Sequence, residues 1–216
     1  MFIRIPLIFI IYSMKENFAA RRSSLAEKVL DDSAIIVGSA PVKSRISDTD
    51  YAYRQDSNFY YLSGYEEPES LLLLRPGHNT EKFVIFCRDR DPLREQWDGF
   101  RTGQDGAVSN YGADAAYSIN AIDKLLPGML DGIKNIYFSM SAPCGVDLKI
   151  KECLELIRSN TSAGSEPPQN LLSLDSIIHE MRLLKEDIEI EIMKKAASIT
   201  TEAHIRAMQA VKPGMY

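Results

Sequence analysis

Two short, unbroken apolar runs, Ser70 to Leu74 and Lys82 to Cys87, are separated only by Arg75-Pro76-Gly77-His78-Asn79. Runs this short, with no polar alternation, read as strands buried on both faces, and the Pro-Gly between them reads as a turn. The pair is therefore expected as a hairpin or as closely paired strands. Ala34-Ile35-Ile36-Val37, ended by Gly38, repeats the pattern, and Asn135-Ile136-Tyr137-Phe138 supplies a further strand. Helical spacing fills the gaps. From Lys15 to Leu30, the positions Phe18, Leu25, Ala26 and Val29 fall on one face while Arg21 and Arg22 face away. Ser118 to Leu126 is a second helical stretch, and Val146 to Ile157 a third, with Leu148, Cys153, Leu154 and Ile157 as its inner face. Strands alternating with helices predict an α/β fold, a mixed β-sheet with flanking helices.

Asn160 to Asn170, with Gly164 and Pro167-Pro168, reads as a loop before the last helices. Asp175 can cap a helix carrying Ile177, Ile178, Met181 and Leu184. A second helix runs from about Glu186 to Val211 and is stopped by Lys212-Pro213-Gly214. Ile188, Ile192, Ala196, Ile199 and Ala203 form one apolar stripe on it; Met193, Ala197, His204, Met208 and Val211 form another. A helix apolar on two sides needs cover on two sides, so the chain is expected to be cut short. At the other end, Phe2 to Tyr12 is apolar but too short for a bilayer, which takes about 20 residues. Residues 1–13 are expected to be an upstream extension ahead of a start at Met14, with a weak signal sequence as the lesser alternative.

A net charge of −5 with both signs dispersed gives no basic stripe, which argues against nucleic acid as a partner. Three cysteines, Cys87, Cys144 and Cys153, form neither a CxxC pair nor an even framework, which favours a reducing compartment. The chain has no GxSxG elbow, GxGxxG turn or phosphate-cradling GxxxxGK[ST], which removes most hydrolases, dehydrogenases and nucleotide enzymes of common design. His179-Glu180 opens like a zinc-peptidase HExxH, but Leu183 stands where the second imidazole would be. His204 reads as a packed or interfacial residue and His78 as a solvated turn residue. The alternating charges of Cys87-Arg88-Asp89-Arg90-Asp91-Pro92 read as a solvated loop.

The stretch from Asp50 to Glu69 is dense in aromatics: Tyr51, Tyr53, Phe59, Tyr60, Tyr61 and Tyr65, interleaved with Arg54 and small acceptors. It is either the aromatic half of a core or the rim of a cleft, since each buried hydroxyl needs a partner. Trp97-Asp98-Gly99-Phe100-Arg101-Thr102-Gly103 holds the single tryptophan, and its Gly99 and Gly103 permit tight backbone conformations around Arg101. It is either an edge-covering turn or a loop projecting Trp97 and Arg101 toward a substrate cleft.

The spelling Tyr-x-Tyr-Arg-Gln-Asp-Ser-Asn-Phe-Tyr-Tyr-Leu-Ser-Gly-Tyr-x-Glu-Pro resembles the N-terminal domain of Xaa-Pro aminopeptidases (aminopeptidase P), in the creatinase/prolidase family. The Trp97 to Gly103 segment resembles that family's Trp-x-Gly-x-Arg-x-Gly loop. His179-Glu180-Met181-Arg182-Leu183-Leu184-Lys185 resembles the segment joining its two domains. The resemblance implies an N-terminal domain at 14–174, a linker helix at 175–185, and at 186–216 the first helix of a truncated pita-bread catalytic domain. It implies release of an N-terminal residue preceding proline, by two Mn2+ ions held by two Asp, one His and two Glu of that later domain. No carboxylate here, Asp31, Asp48, Asp175 and Glu180 included, lies in a matching ligand motif, so the chain alone is expected to be inactive and to bind no metal. The resemblance further implies a peptide substrate, homo-oligomer contacts in the full-length form, and a cleft rim or interface at Tyr53, Arg54, Trp97 and Arg101. The short apolar run and the odd cysteine count make no membrane association and a cytoplasmic location the expectation. A non-catalytic peptide- or protein-binding module and a prolidase (Xaa-Pro dipeptidase) fragment are the alternatives.

Overall fold

The computed structural model describes the backbone of residues 7–140 and 145–215 and side chains from residue 17 onward. Cys144 and the first six residues of the expected extension lie outside the described residues. By contacts the chain divides into two units, residues 1–177 and 178–216.

In the first unit, the expected hairpin is formed by β4 (Leu71–Leu74) and β5 (Phe83–Cys87), antiparallel with Leu71 opposite Phe86 and Leu74 opposite Phe83. Strand β1 (Ser33–Gly38) pairs antiparallel with β4 and parallel with β7 (Asn135–Phe138). Two strands that the pattern does not announce, β6 (Ala115–Ser118) and β8 (Asn170–Ser173), add in parallel at the edges, giving the order β6-β5-β4-β1-β7-β8. A small exposed pair, β2 (Ser44–Ile46) and β3 (Thr49–Asp50), stands apart. The fold is thus α/β, a mixed sheet with flanking helices.

The central strands are buried on both faces, as their unbroken apolar runs require. On one face Ala34, Ile36, Leu71, Leu73, Val84, Phe86, Ile136 and Phe138 pack against α5 (Ile122–Leu130) and α6 (Val146–Ser159). The inner face of α6 is Val146, Ile150, Cys153, Leu154 and Ile157. Leu148, expected there, is 63% exposed, because Ile150 rather than Leu148 continues the period of Cys153 and Ile157. The helix expected over Ser118 to Leu126 begins instead after β6 and a 3-10 turn at Ile119–Ala121.

On the opposite face lie α1 (Leu7–Ala26) and α2 (Ser57–Ser63). Phe18 and Leu25 of α1 are buried as expected. Arg21 and Arg22 do not face away: Arg21 is 7% exposed, and Arg22 lies 3.8 Å from the Phe83 ring centroid. Their guanidiniums donate to the carbonyls of Tyr61 (3.4 Å) and Leu62 (2.8 Å) at the negative end of α2. Arginine stems thus pack on aromatic rings while their heads cap a neighbouring helix.

The second unit carries most of α7 (Asp175–Leu183) and all of α8 (Asp187–Ala210), which opens with a reciprocal Glu186–Glu189 capping box. Ile192, Met193, Ile199, Ile205 and Met208 of α8 are all exposed.

Replacing Leu73, fully buried in the centre of the sheet, by Ala is expected to cost about 2–5 kcal/mol in urea unfolding. Leu148→Ala is expected to cost under about 0.5 kcal/mol. A loss at Leu148 matching that at Leu73 would contradict the assigned face of α6.

Candidate functional site

The aromatic stretch is organised around a side chain that is not aromatic. Gln55 is 8% exposed. Its Oε1 accepts from the Ala40 N–H (2.9 Å), the Asp56 N–H (2.8 Å) and the Tyr53 hydroxyl (2.9 Å). Its Nε2 donates to the carbonyls of Tyr65 (3.2 Å) and Glu67 (2.9 Å). The amide thus pins residues 40, 53, 56, 65 and 67 together. Asp56 then caps α2, its Oδ1 accepting from Asn58 and Phe59 at 2.8 and 2.9 Å, and Gly64 ends that helix at φ 68°. Phe59, Tyr61, Leu62 and Tyr65 are buried, so this half of the stretch is core.

Tyr53 and Arg54 part company. The Tyr53 hydroxyl sits inward, 3.1 Å from the Ala40 carbonyl as well as on Gln55. Arg54 is exposed, donates to Ser57 Oγ at 3.3 Å, and is flanked by open hollows of about 400 and 270 Å3.

The tryptophan segment also divides. Trp97 lies on a short helix, α3 (Pro92–Asp98), capped by Asp91, rather than on a loop, and it is 89% exposed beside exposed Leu93 and Phe100. Arg101 does not project with it. It is 8% exposed and turns back to donate to the Asp89 carbonyl (3.4 Å) and to Asp98 (3.2 Å). The segment expected as a solvated charged loop is its frame. Arg90 grips Glu95 through two hydrogen bonds of 2.6 and 2.9 Å, and its guanidinium lies 4.3 Å from the Phe100 ring centroid. Asp89 accepts from Gln104, Ser118 and Asn120. An open cleft of about 490 Å3 lies here, lined by Arg88, Arg90, Arg94 and Arg101 with Asp89 and Asp91 among them. After Arg101 the chain enters α4 (Gly103–Tyr111), unannounced by its glycine-containing sequence.

Glu67, not singled out from the sequence, joins the two segments. Its Oε1 accepts from the Thr102 N–H at 2.6 Å, and its Oε2 from Arg88 at 3.3 Å. The available signal was an acid placed two residues after a core tyrosine and directly before Pro68.

Burial shifts several protons here. It pushes the Tyr53 phenol up to about 12 and the Cys87 thiol up to about 11; Cys153, in the α6 face, also rises to about 11 by burial. All three folded values lie above the unfolded ones, so the folded state keeps these protons after the unfolded chain releases them. Their stabilisation is complete below about pH 9 and is lost as the pH rises through 11 to 12. Urea midpoints are therefore expected to fall over that window. A midpoint that stays level or climbs there would count against it.

The histidines form no centre. His78 Nδ1 accepts from the N–H groups of Thr80 and Glu81 in the β4–β5 turn, while His179 and His204 are exposed. His78 is thus half-buried and bonded rather than solvated, and His204 is not packed among the described residues. Among the described residues, no group of three or more His, Cys, Asp or Glu could hold a metal ion. A two-manganese centre therefore does not fit the donors that these residues supply.

The family model of the aminopeptidase P N-terminal domain matches residues 18–137. The chain is 34% identical to the Xaa-Pro aminopeptidase of Escherichia coli K12 over 203 residues, which covers 94% of this chain and 46% of that protein. It is 35% identical to the Haemophilus influenzae Xaa-Pro aminopeptidase over 202 residues, 94% of this chain and 44% of that one. The solved structure of Pseudomonas aeruginosa aminopeptidase PepP superposes with a TM-score of 0.91 at 40% identity, covering all of this chain and 47% of that one. The chain thus spans about half the length of the relatives it matches. Among the described residues no helix is long and apolar enough to cross a membrane. With the N-terminal-domain model matching more than half its length and a solved aminopeptidase superposing on all of it at a TM-score of 0.91, the chain belongs to the aminopeptidase P family.

Proposed function

We propose that this chain acts as the N-terminal half of an Xaa-Pro aminopeptidase, supplying cleft rim and subunit contacts while a following domain supplies the chemistry. The observation that carries the reading is the coverage: nearly all of this chain aligns to about half of each relative. An Xaa-Pro bond has no amide N–H and a constrained proline φ, so its cleavage calls for a dedicated site. Two divalent ions, manganese in this reading, would activate the attacking water there.

In this assignment residues 14–174 form the N-terminal domain, 175–185 the linker helix and 186–216 the first helix of the catalytic domain. The exposed apolar side chains of α8 support that last assignment, because such a face is stable in water only when covered. The exposed Leu93, Trp97 and Phe100, with Arg54, are the surface offered to substrate or to a neighbouring subunit. Tyr53, bonded to Gln55 beside Arg54, and Arg101, bonded to Asp98 at the end of α3, would hold these side chains in place. The buried unpaired Cys87 and Cys153 support a reducing, cytoplasmic setting.

The purified chain with Mn2+ and an Xaa-Pro peptide is expected to release no N-terminal residue. Joined to the relatives' remaining half it is expected to do so, and Trp97→Ala in that enzyme is expected to lower kcat/KM about tenfold or more. Turnover by the chain alone would refute the division of labour.

A further inference from the structure

We propose that Glu67 is the positioning residue for the turn that follows Trp97, holding residues 99–102 against the sheet so that the exposed aromatic surface is presented in one conformation. The inference rests on the reading of Leu93, Trp97 and Phe100 as a contact surface.

The turn needs such a hold. Thr102 leads into α4 without a side-chain cap of its own, and Gly103 follows at φ 64°, where a Cβ would meet Arg90 Cγ at 2.6 Å. A left-handed residue at a helix start has little local reason to stay put. The Thr102 N–H is fixed by a carboxylate 35 residues away in sequence, an acceptor whose charge strengthens the bond. The Glu67 side chain is only 16% exposed, so water competes poorly for that bond.

Glu67 is itself clamped. Its second oxygen accepts from Arg88, one residue past β5, and its carbonyl accepts from Gln55. The order of the buried amide hub is thereby passed to the turn through one side chain. An exposed Trp on a short helix whose end is held has less freedom to lose on binding, and affinity lost through disorder would fall on KM rather than on the chemical step.

Trp97 is the only tryptophan, so its time-resolved anisotropy in the full chain reports the end of α3 that this turn holds. Glu67→Ala is expected to raise the amplitude of fast local motion at least about twofold and to speed hydrogen exchange of the Thr102 amide at least about tenfold. Glu67→Gln keeps the acceptor but loses the charge, and should fall between Glu67→Ala and wild type, which preserves the test if the alanine variant fails to fold. Leu126→Ala, a destabilised core control, should leave the Trp97 signal unchanged. Unchanged anisotropy and exchange in a folded Glu67 variant would overturn the proposal. In the joined enzyme, Glu67→Gln should raise KM at near-constant kcat. A loosened turn with Trp97→Ala hydrolysing normally would leave the hold intact but remove its role in substrate or subunit contact, and so overturn the contact-surface reading itself.

Discussion

Gly64→Ala is expected to be among the most damaging single changes in this chain, costing about 2–4 kcal/mol. Gly64 ends α2 at φ 68°, and its N–H donates to the Tyr60 carbonyl at 2.8 Å. A residue with a Cβ held at such a φ costs on the order of 1 kcal/mol. The larger part is steric. A Cβ here would lie 2.3, 2.8 and 2.9 Å from three ring carbons of Phe18. That ring cannot swing aside: it is 8% exposed, stands edge-on to Tyr60 at 5.7 Å, and has the Arg21 guanidinium 5.6 Å from its centroid. Overpacking of this kind adds about 1–3 kcal/mol. Gly112 supplies the control, with φ 70° and nothing within 4 Å of its would-be Cβ. Gly112→Ala should therefore cost only about 1 kcal/mol. In a Phe18→Ala background the penalty at Gly64 should shrink to the Gly112 value, a non-additivity readable by urea unfolding. Equal penalties at the two glycines in the wild-type background would rule out the clash.

Gln55→Leu is the second change of this size. The side chain keeps nearly the same volume, but the Ala40 and Asp56 N–H groups, the Tyr53 hydroxyl and the Tyr65 and Glu67 carbonyls each lose a partner. A buried polar group left unsatisfied costs about 1–3 kcal/mol. The Tyr53 hydroxyl retains the Ala40 carbonyl, and groups near the surface recover water, so a total of about 3–5 kcal/mol is expected. For a chain of this size that lowers Tm by roughly 6–20 °C. Gln55→Glu should be nearly as harmful, because it turns a donor toward two carbonyls into an acceptor. A Gln55→Leu protein with an unchanged Tm would show that the amide is dispensable.

The sheet centre was legible because its strands are continuous leucine, isoleucine and valine runs punctuated by Gly38 and Pro76-Gly77. The elements that escaped are short and owe their form to neighbours. Strand β6 is Ala-Ala-Tyr-Ser, weak in β-propensity, and exists because β5 offers it an edge. Helix α2 is too short for a hydrophobic period to show, although its bounds were written as Asp56 and Gly64. The tryptophan segment and the aromatic stretch stood out by composition. What each side chain does there did not, because a charge in sequence carries no record of its partner. Arg101 and Arg21 read as surface cations, yet both lie buried on backbone carbonyls. Gln55 and Glu67 both lie inside the family-like spelling, but nothing in the sequence singled either out from its neighbours as the group that connects them.

Strand β1 sits between β4 and β7, and those neighbours are made at very different times. A ribosome that has just released Leu74 must add about 60 more residues before Asn135 emerges, roughly 3–12 seconds at 5–20 residues per second. Throughout that interval the nascent polypeptide carries a half-finished ribbon whose open flank is Ala34-Ile35-Ile36. Synthesis stalled at residue 110 should leave that flank within reach of a chaperone, and synthesis continued to residue 177 should withdraw it.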